Sequence, residues 1–238
     1  MSNPIYTSLT RQSGLMREMQ AVANNIANIS TTGFRREGVV FSEHVRRLDD
    51  AVPSLSMAHG TARHVDLAQG DVTRTGGDFD LAIQGEGFFL VETPDGERLT
   101  RAGHFMPDAE GMLVNPEGHR LLDAGGAAVV VPADQGPVGI ARDGTVSAAG
   151  QPLAQIGLWV PEDPRSLRHE GGTLFRADGV APLEGEGAML QGHLEGANVN
   201  PVTEVARMIA VQRAYEMGQQ FLDREDERVR SVIQTLGR

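Results

Sequence analysis

Ala23-Asn24-Asn25-Ile26-Ala27-Asn28-Ile29-Ser30-Thr31-Thr32-Gly33-Phe34 is the stretch that decides the fold, because it closes an amphipathic helix pattern near the start of the chain. A second helical pattern opens at Gly196-Ala197-Asn198-Val199-Asn200-Pro201 and runs to the last residue. The residues between the two are rich in glycine and alternate as strands do. The sequence therefore predicts an α+β fold in which paired, coiled-coil-like terminal helices flank a central antiparallel β domain.

The N-terminal helix is predicted over residues 4–29, with Pro4 in the first turn, where its missing N–H costs nothing. On a heptad grid the inward positions are Ile5, Leu9, Gln12, Met16, Met19, Ala23 and Ile26. A second apolar stripe is formed by Leu15, Val22 and Ile29. Together the two stripes form an apolar face wider than one partner helix can cover, so the pattern predicts a further packing partner. The helix ends before Gly33, which is free to take the left-handed conformation.

The C-terminal helix is predicted from Pro201 onward, and Glu204 suits the positive end of its dipole. Its heptad positions are Met208, Val211, Tyr215, Gly218, Leu222, Glu225, Val229, Val232 and Leu236. At the helical rise per residue this helix is about 50 Å long and the first is about 38 Å, so the two can overlap over most of their length. Because Gly218 and Glu225 interrupt the apolar seam, part of this helix is expected to face other subunits or a wet channel.

The spacing of apolar residues changes in the middle of the chain. Residues 35–75 are predicted as mostly extended, with a short helical turn at Phe41, Val45 and Leu48, and as ordered only in contact with something else. From Phe79 the apolar period is two, and Thr93-Pro94-Asp95-Gly96 predicts a hairpin. Further strands are predicted at 112–114, 128–131, 145–147, 155–160, 174–176 and 189–192. The predicted domains are a helical axial core (1–34 with 197–238), an extended connector (35–78) and a central β domain (79–196).

Composition excludes several classes of protein. A formal net charge of -11 argues against a sequence-independent nucleic-acid binder, which needs a basic face. The chain has no cysteine, which excludes zinc–thiolate sites, cysteine nucleophiles and disulfides. No run reaches the roughly 18 apolar residues of a transmembrane helix, and the N-terminus lacks the pattern of a cleaved signal peptide. These rules alone predict a cytoplasmic protein.

The sequence offers no pattern for catalysis. Gly85-Glu86-Gly87 lacks the rest of a dinucleotide fingerprint and predicts a β-turn. The histidines have no metal-binding spacing, and only His59 and His64 are close together. Asp78 and Asp80 could form a glycosidase pair, but their period-two spacing predicts the solvated side of a strand. We therefore expect no catalytic, cofactor-binding or metal-binding residues.

The asparagines of the first helix are more informative. Asn24 and Asn28 are four residues apart, with Asn25 beside them, so amides lie on the flank of an apolar helix. They could be ordinary polar residues at a helix end. They could also fix the register of helix packing, because a buried amide must find a partner.

Both ends of the chain resemble the axial proteins of bacterial flagella, the rod and hook family. The N-terminal signature is matched by Ala23 to Asn28 followed by Thr32-Gly33-Phe34-Arg35-Arg36, and the C-terminal one by residues 194–201 with Met208-Ile209 and Gln212 to Glu216. The middle is similar to the β domain of the rod subfamily at residues 69–76, 81–89 and 100–103. The family signature has Ser where this chain has Ala197. The resemblance covers most of the chain.

The resemblance implies a non-catalytic subunit of a helical tube that crosses the periplasm and transmits torque in the flagellar basal body. Pro4-Ile5-Tyr6-Thr7 and the compact length look most like proximal rod subunits, with distal rod or hook-type subunits as the alternative. Implied partners are copies of the chain, other proximal and distal rod proteins and the flagellar export apparatus, which needs no cleaved signal peptide. No cofactor, nucleic acid or membrane span is implied.

The residues expected to pack in assembly are drawn from both ends. They are Ile5, Leu9, Met16, Met19, Val22, Asn24, Asn25, Ile26, Asn28, Gly33, Phe34, Asn198, Asn200, Met208, Val211, Tyr215, Leu222, Val229 and Val232. A remote alternative is a secreted β-rich module that binds or hydrolyses cell-wall glycan, which predicts a carboxylate pair lining a cleft in residues 79–190.

Overall fold

The computed structural model describes residues 3–46, 55–132, 136–183, 185 and 187–236, without the side chains of residues 3–7 and 41–62. The chain divides into two compact units. The helical unit comprises Met1–Ala27, Glu37–His64 and Asn200–Arg238, and the β unit comprises Asn28–Arg36 and Val65–Val199. A helix at each end and antiparallel strands between them confirm the predicted α+β class.

Helix α1 spans Asn3–Ala27 and is the first element of the helical unit. Its buried apolar residues are Leu15, Ala21 and Val22, which include two members of the second predicted stripe. Leu9 and Met16, from the heptad stripe, are exposed. The helix ends two residues earlier than expected, and a turn in which the Thr31 amide donates to the Asn28 carbonyl follows it.

Helix α2 spans Pro201–Leu236 and begins where the sequence predicts. Asn200 precedes it as the N-cap, since its Oδ1 accepts a hydrogen bond from the Thr203 amide at 3.1 Å. Pro201 occupies the first helical position, where no intrahelical donor is needed. These local signals explain why the start of α2 can be predicted from the sequence.

A two-stranded sheet completes the helical unit. Strands β1 (Glu37–Arg46) and β2 (Leu55–Val65) pair with each other. The predicted helical turn is therefore wrong at Phe41 and Val45, which lie in β1, and Leu48 lies outside the described residues. The helical turn was predicted from weak periodicity, which does not show whether a segment pairs with a neighbouring strand.

The β unit contains the remaining strands. They are β3 (Val72–Arg74), β4 (Leu81–Gly85), β5 (Phe89–Thr93), β6 (Gly96–Thr100), β7 (Met106–Pro107), β8 (Leu113–Val114), β9 (Arg120–Leu121), β10 (Val138–Ile140), β11 (Thr145–Ala148), β12 (Gln151–Gln155), β13 (Trp159–Pro161), β14 (Arg168–Gly171), β15 (Leu174–Arg176), β16 (Val180–Pro182), β17 (Gly187–Gln191) and β18 (His193–Glu195). A short 3₁₀ helix spans Pro164–Ser166.

The largest sheet has the strand order β14-β15-β6-β5-β9-β8-β7. Its β5–β6 hairpin, which pairs Thr93 with Gly96, confirms the predicted turn. Smaller sheets are β10-β11-β12, β13-β16, β17-β4 and β18-β3, and their pairings are antiparallel. The predicted strand at 128–131 is instead a pair of isolated bridges, because Ala128 pairs with Leu122 and Val130 with Met112.

Two apolar clusters form the core of the β unit. The larger includes Phe89, Leu113 and Ile156, and the smaller includes Leu99 and Phe175. The period of two from Phe79 predicts a strand that is buried on one face, but β4 contributes three consecutive buried residues, so it is covered on both faces. The expectation of a solvated carboxylate is also wrong for Asp80, which is 8% exposed, whereas Asp78 is exposed.

Candidate functional site

The three asparagines of α1 have different surroundings. Asn25 is completely buried, Asn24 is exposed, and Asn28 accepts a hydrogen bond from the Thr31 hydroxyl at 3.1 Å. Asn24 Nδ2 donates to the Glu37 carboxylate at 3.4 Å. The buried amide of the three is therefore Asn25.

Asn25 joins three segments of the helical unit. Its Nδ2 donates to the Glu37 carbonyl at 2.8 Å and to Glu204 Oε2 at 3.0 Å, and its Oδ1 accepts from the Glu37 amide at 2.8 Å. Glu37 is the first residue of β1 and Glu204 lies in the first turn of α2. Because both glutamates are also buried, this cluster fixes the register of α1, β1 and α2.

The two helices pack antiparallel within the helical unit. Gln12 Nε2 donates to the Tyr215 carbonyl at 3.4 Å, and Gln219 Nε2 donates to Gln12 Oε1 at 3.1 Å. Further along, Arg207 donates to Glu18 at 2.8 Å. Residue numbers therefore rise along α1 as they fall along α2.

Gly218 has a role that the heptad grid did not show. A Cβ at this position would lie 2.9 Å from Gln12 Nε2. The glycine thus leaves room for the glutamine side chain between the helices. Glu225, the other interruption, is paired with Arg228 at 2.7 Å in the i,i+3 spacing of an exposed helix face.

The heptad residues differ in burial. Val22 and Val211 are buried, and Leu9, Met16, Val229 and Val232 are exposed. The half-buried ones are Met19, Ile26, Met208, Tyr215 and Leu222. The side chain of Ile5 lies outside the described residues. Continuing the antiparallel register from Gln12 and Gly218 places Asn3, the first residue of α1, near the level of Val229 in α2.

Several exposed apolar residues of α2 were not among the predicted site residues. They are Val202, Val205, Ile209, Met217, Phe221, Ile233 and Leu236. Val202, Val205 and Ile209 follow i, i+3, i+7 spacing, so they share one face of the helix. That face differs from the one that carries Glu204 and Val211 toward α1. The i, i+3, i+7 spacing of these residues could have predicted this second apolar face, but the heptad pattern considered only one face of the helix.

The signature residues around Gly33 lie in the β unit. Gly33 has φ of 71°, as expected, and its amide donates to the Glu195 carbonyl at 2.7 Å. Phe34 is completely buried and stacks on His169, with the ring centroids 5.2 Å apart. Asn198 Oδ1 accepts from the Arg36 amide at 2.6 Å.

A buried ionic cluster beside these residues was not predicted. Glu195 contacts Arg35 Nη1 at 2.7 Å and Arg101 Nη1 at 3.1 Å, and all three side chains are at least 96% buried. Burial and the neighbouring positive charge of Arg35 lower the pKa of Arg101 to about 10, although Glu195 opposes that shift. No local pattern marks the cluster, because its members are far apart in sequence.

Asp80 is part of a second polar cluster in the β unit. It accepts hydrogen bonds from the Thr75 hydroxyl at 2.5 Å and from His104 Nδ1 at 2.6 Å. Burial alone would raise the pKa of Asp80, but the hydrogen bonds from Thr75 and His104, together with the charge of His104, lower it below the ordinary aspartate value.

The glycan alternative predicts a carboxylate pair in a cleft. Glu86 and Glu162 do line a cavity of about 400 Å³, with Arg101 and Phe88. Both carboxylates are exposed, whereas glycoside hydrolysis needs one acid in an apolar setting. The cavity therefore gives the hydrolytic alternative no support.

Two further properties concern the described part of the chain. Among its residues, no three His, Asp or Glu side chains are grouped closely enough to hold a metal ion. None of its helices is long and apolar enough to cross a membrane.

Comparison with known proteins agrees with the resemblance at both ends. Family models match residues 5–35 ("Flagella basal body rod protein"), 82–148 ("Flagellar hook protein FlgE/F/G D1 domain") and 190–235 ("Flagellar basal body rod FlgEFG protein C-terminal"). These three matches cover most of both end signatures and the central strands up to residue 148.

Relatives that match over almost their whole length are also named as flagellar basal-body rod proteins. The flagellar basal-body rod protein FlgF of Caulobacter vibrioides is 40% identical over 100% of this chain and 99% of the relative, and FlgF of Mesorhizobium japonicum is 34% identical with the same coverage. The rod protein FlgG of Bacillus subtilis is 28% identical over 98% of both chains. The chain therefore belongs to the flagellar basal-body rod protein family, and it is more like these FlgF proteins than the FlgG protein.

Proposed function

We propose that the chain is a structural, non-catalytic subunit of the proximal flagellar rod, which assembles with copies of itself and with other rod proteins. The observation that carries this proposal is the exposed apolar surface of the helical unit. It includes Leu9 and Met16 on α1 and a longer series on α2 that ends at Leu236, which is 82% exposed. Soluble monomers rarely expose so many large apolar side chains on adjacent helices, and such surfaces mark interaction sites.

The exposed residues occupy more than one face, which favours an open assembly. Val202, Val205 and Ile209 lie on one face of α2, and Met16 lies on α1. Different faces that meet on successive copies make a heterologous contact, and a heterologous contact that does not close gives a helix of subunits. We propose that such a helix of subunits forms the tube that transmits torque across the periplasm.

The pairing of α1 with α2 is proposed to be coiled-coil-like. Its support is the 3.5-residue spacing of Val211, Tyr215, Gly218 and Leu222 on the less exposed side of α2. Asn25 would set the register of that pair, since its amide is bonded to both partner segments. The axial core (1–34 with 197–238), connector (35–78) and β domain (79–196) are proposed as the functional parts.

The route to the rod is also proposed from the family. The flagellar export apparatus would carry the chain to the periplasmic rod without a cleaved signal peptide. Absence of cysteine suits a chain that is threaded unfolded and then folds without disulfides. The net charge of -11 makes nucleic acid an unsuitable partner.

A pair of matched substitutions tests the role of the terminal helices. Met16→Asp places a charge on the helical unit, and Met106→Asp places one on the β unit, at methionines that are 40% and 44% exposed. Each variant replaces the wild-type gene, and basal bodies are purified and imaged. Met16→Asp is expected to abolish incorporation and motility because a charge would be buried between subunits. Met106→Asp is expected to preserve both.

Circular dichroism of each purified variant provides the control for folding. Both are expected to match the wild-type spectrum, because both positions are exposed in the single chain. Normal rods and swimming with Met16→Asp would contradict the proposal. Equal loss with both variants would show that the apolar surface of the helices has no special role.

A further inference from the structure

We infer that Glu195 closes a clamp inside the β unit, made of residues 33–36, 65–70 and 195–198, and that this clamp is a load-bearing joint of the subunit. That the clamp carries mechanical load rests on the proposed function in the rod. The clamp itself rests only on contacts within the β unit. No catalytic or ligand-binding role is involved.

Glu195 contacts every segment of the clamp. Its Oε1 accepts from Arg35 Nη1 at 2.7 Å and from the Gly70 amide at 2.8 Å, and its carbonyl accepts from the Gly33 amide at 2.7 Å. Its Oε2 accepts from Arg101, in the segment that follows β6. A single carboxylate with no exposed surface therefore holds together chain segments that are distant in sequence.

The positive charges of Arg35 and Arg101 require the negative charge of Glu195, which a neutral side chain cannot supply. Arg35 and Arg101 are both buried, and Glu195 is the carboxylate that contacts both. Within the described residues, Arg35 Nε and Nη2 and Arg101 Nε have no hydrogen-bond partner. Two buried guanidiniums already lack some partners, so loss of the carboxylate would leave them repelling each other without compensation.

Asn198 binds the same segments independently of charge. Its Oδ1 accepts from the Arg36 amide, and its Nδ2 donates to the carbonyls of Asp66 at 2.9 Å and Ala68 at 2.8 Å. Arg35 Nη1 donates to the same Ala68 carbonyl at 2.6 Å. The clamp is thus a network in which side chains replace the ladder hydrogen bonds of a regular sheet.

The clamp lies at chain connections. The chain passes between the two units at four places, and a clamp residue lies within one or two positions of three of them: after Arg36, before Val65 and after Val199. The fourth, between Ala27 and Asn28, lies farther from the clamp. A pull on one of the three connections near the clamp therefore reaches a network that also holds the other two. Because the pulling force is shared among three segments, no single segment is pulled out of the β unit alone.

Hydrogen exchange of the full chain tests the clamp. In Glu195→Gln, the amides of Gly33 and Gly70 are expected to exchange at least about tenfold faster, because their acceptor segment opens locally. The amides of Leu122 and Val129, which donate to carbonyls within the sheet region, are expected to accelerate less, because they lie outside the clamp. Unchanged exchange at Gly33 and Gly70, or equal acceleration at all four amides, would overturn the clamp.

Two further variants keep the test decisive. Glu92→Gln breaks an exposed pair with Arg120 and is expected to leave all four amides unchanged. Asn198→Ala removes the charge-independent contacts and is expected to accelerate the Arg36 amide at least about tenfold. If Glu195→Gln does not fold, the Asn198→Ala result alone decides, and an unchanged Arg36 amide refutes the clamp.

Swimming under load tests the mechanical consequence. Cells with Glu195→Gln or Asn198→Ala are expected to build rods, and to lose motility as the viscosity of the medium rises while wild-type cells still swim. Wild-type behaviour at every viscosity, or failure to build rods from a folded variant, would overturn the load-bearing role. Absence of the wild-type chain from basal bodies would instead refute the proposed function and leave the exchange result standing.

Discussion

Asn25 and Glu204 are 179 positions apart in the sequence, yet Asn25 Nδ2 lies 3.0 Å from Glu204 Oε2 inside the helical unit. One residue lies near the end of α1 and the other near the start of α2. Neither side chain is exposed to water. Because each is the other's partner, the two ends of the chain depend on each other for their buried polar groups.

Asn25→Ala is expected to lower the free energy of unfolding of the helical unit by about 3 kcal/mol, because the Glu37 backbone and the Glu204 carboxylate each lose a buried hydrogen bond. Asn24→Ala, next to it on the exposed side, is the control and should cost less than about 1 kcal/mol. Urea unfolding followed by circular dichroism measures both. Similar losses for the two variants would contradict the assignment of Asn25 as the register residue.

Glu195→Gln is expected to destabilise the β unit by about 3–5 kcal/mol, since it removes one partner of a buried charge cluster. The same substitution at Glu92, whose pair with Arg120 is half-exposed, should cost less than about 1 kcal/mol. Fluorescence of Trp159 during urea unfolding reports on this unit. A Glu195→Gln variant as stable as Glu92→Gln would show that the buried cluster contributes nothing.

Gly33→Ala is expected to destabilise the β unit by more than about 3 kcal/mol, because the added Cβ would overlap the backbone of Arg101 and Ala102. Gly118→Ala is matched to it, with φ of 85° and open space around the added atom. That control should show only the left-handed backbone penalty of about 1–2 kcal/mol. Thermal unfolding distinguishes them, and equal losses would mean that the close approach is not important.

Asp80 makes the stability of the β unit sensitive to acid. Its pKa is lowered in the folded state, so the carboxylate contributes stability above the ordinary aspartate pKa of about 3.9, and this is lost as the pH falls through the lower folded value. His104→Ala is expected to raise the pKa of Asp80 and to move acid unfolding to higher pH. An NMR titration of the Asp80 carboxyl measures the change.

His119→Ala is the control for that titration. The His119 ring contacts Asn115 rather than a carboxylate, so its loss should leave the pKa of Asp80 unchanged. If His104→Ala leaves the pKa of Asp80 at its wild-type value, the hydrogen bond and charge of His104 are not what lowers it.

The sequence predicted the elements whose signals are local. Asn200 and Pro201 mark the start of α2, and Thr93 to Gly96 marks a hairpin, because caps and turns depend on adjacent residues. The rotation of α1 was not predictable in this way. Leu15 and Val22 are buried while Leu9 and Met16 are exposed, and that choice depends on which neighbours cover the helix.

The candidate site was predictable in kind but not in detail. Three asparagines were equivalent in the sequence, and only the contact with Glu37 and Glu204 distinguishes Asn25. The pairing of Glu195 with Arg35 and Arg101 joins distant segments, so no spacing in the sequence reveals it. The extended conformation of β1 and β2 was predicted, but their pairing was not, because their residues lack clear alternation.

The most direct test of the central claim is the solvent accessibility of α2 in the free chain and in the rod. Val232→Cys is introduced into the cysteine-free chain at a side chain that is 50% exposed, with Met106→Cys as the control on the β unit. Maleimide labelling should be fast at both positions in the dilute chain. In purified basal bodies it should be blocked at position 232 and retained at 106. Equally fast labelling at position 232 in both states would contradict burial of the terminal helices between subunits.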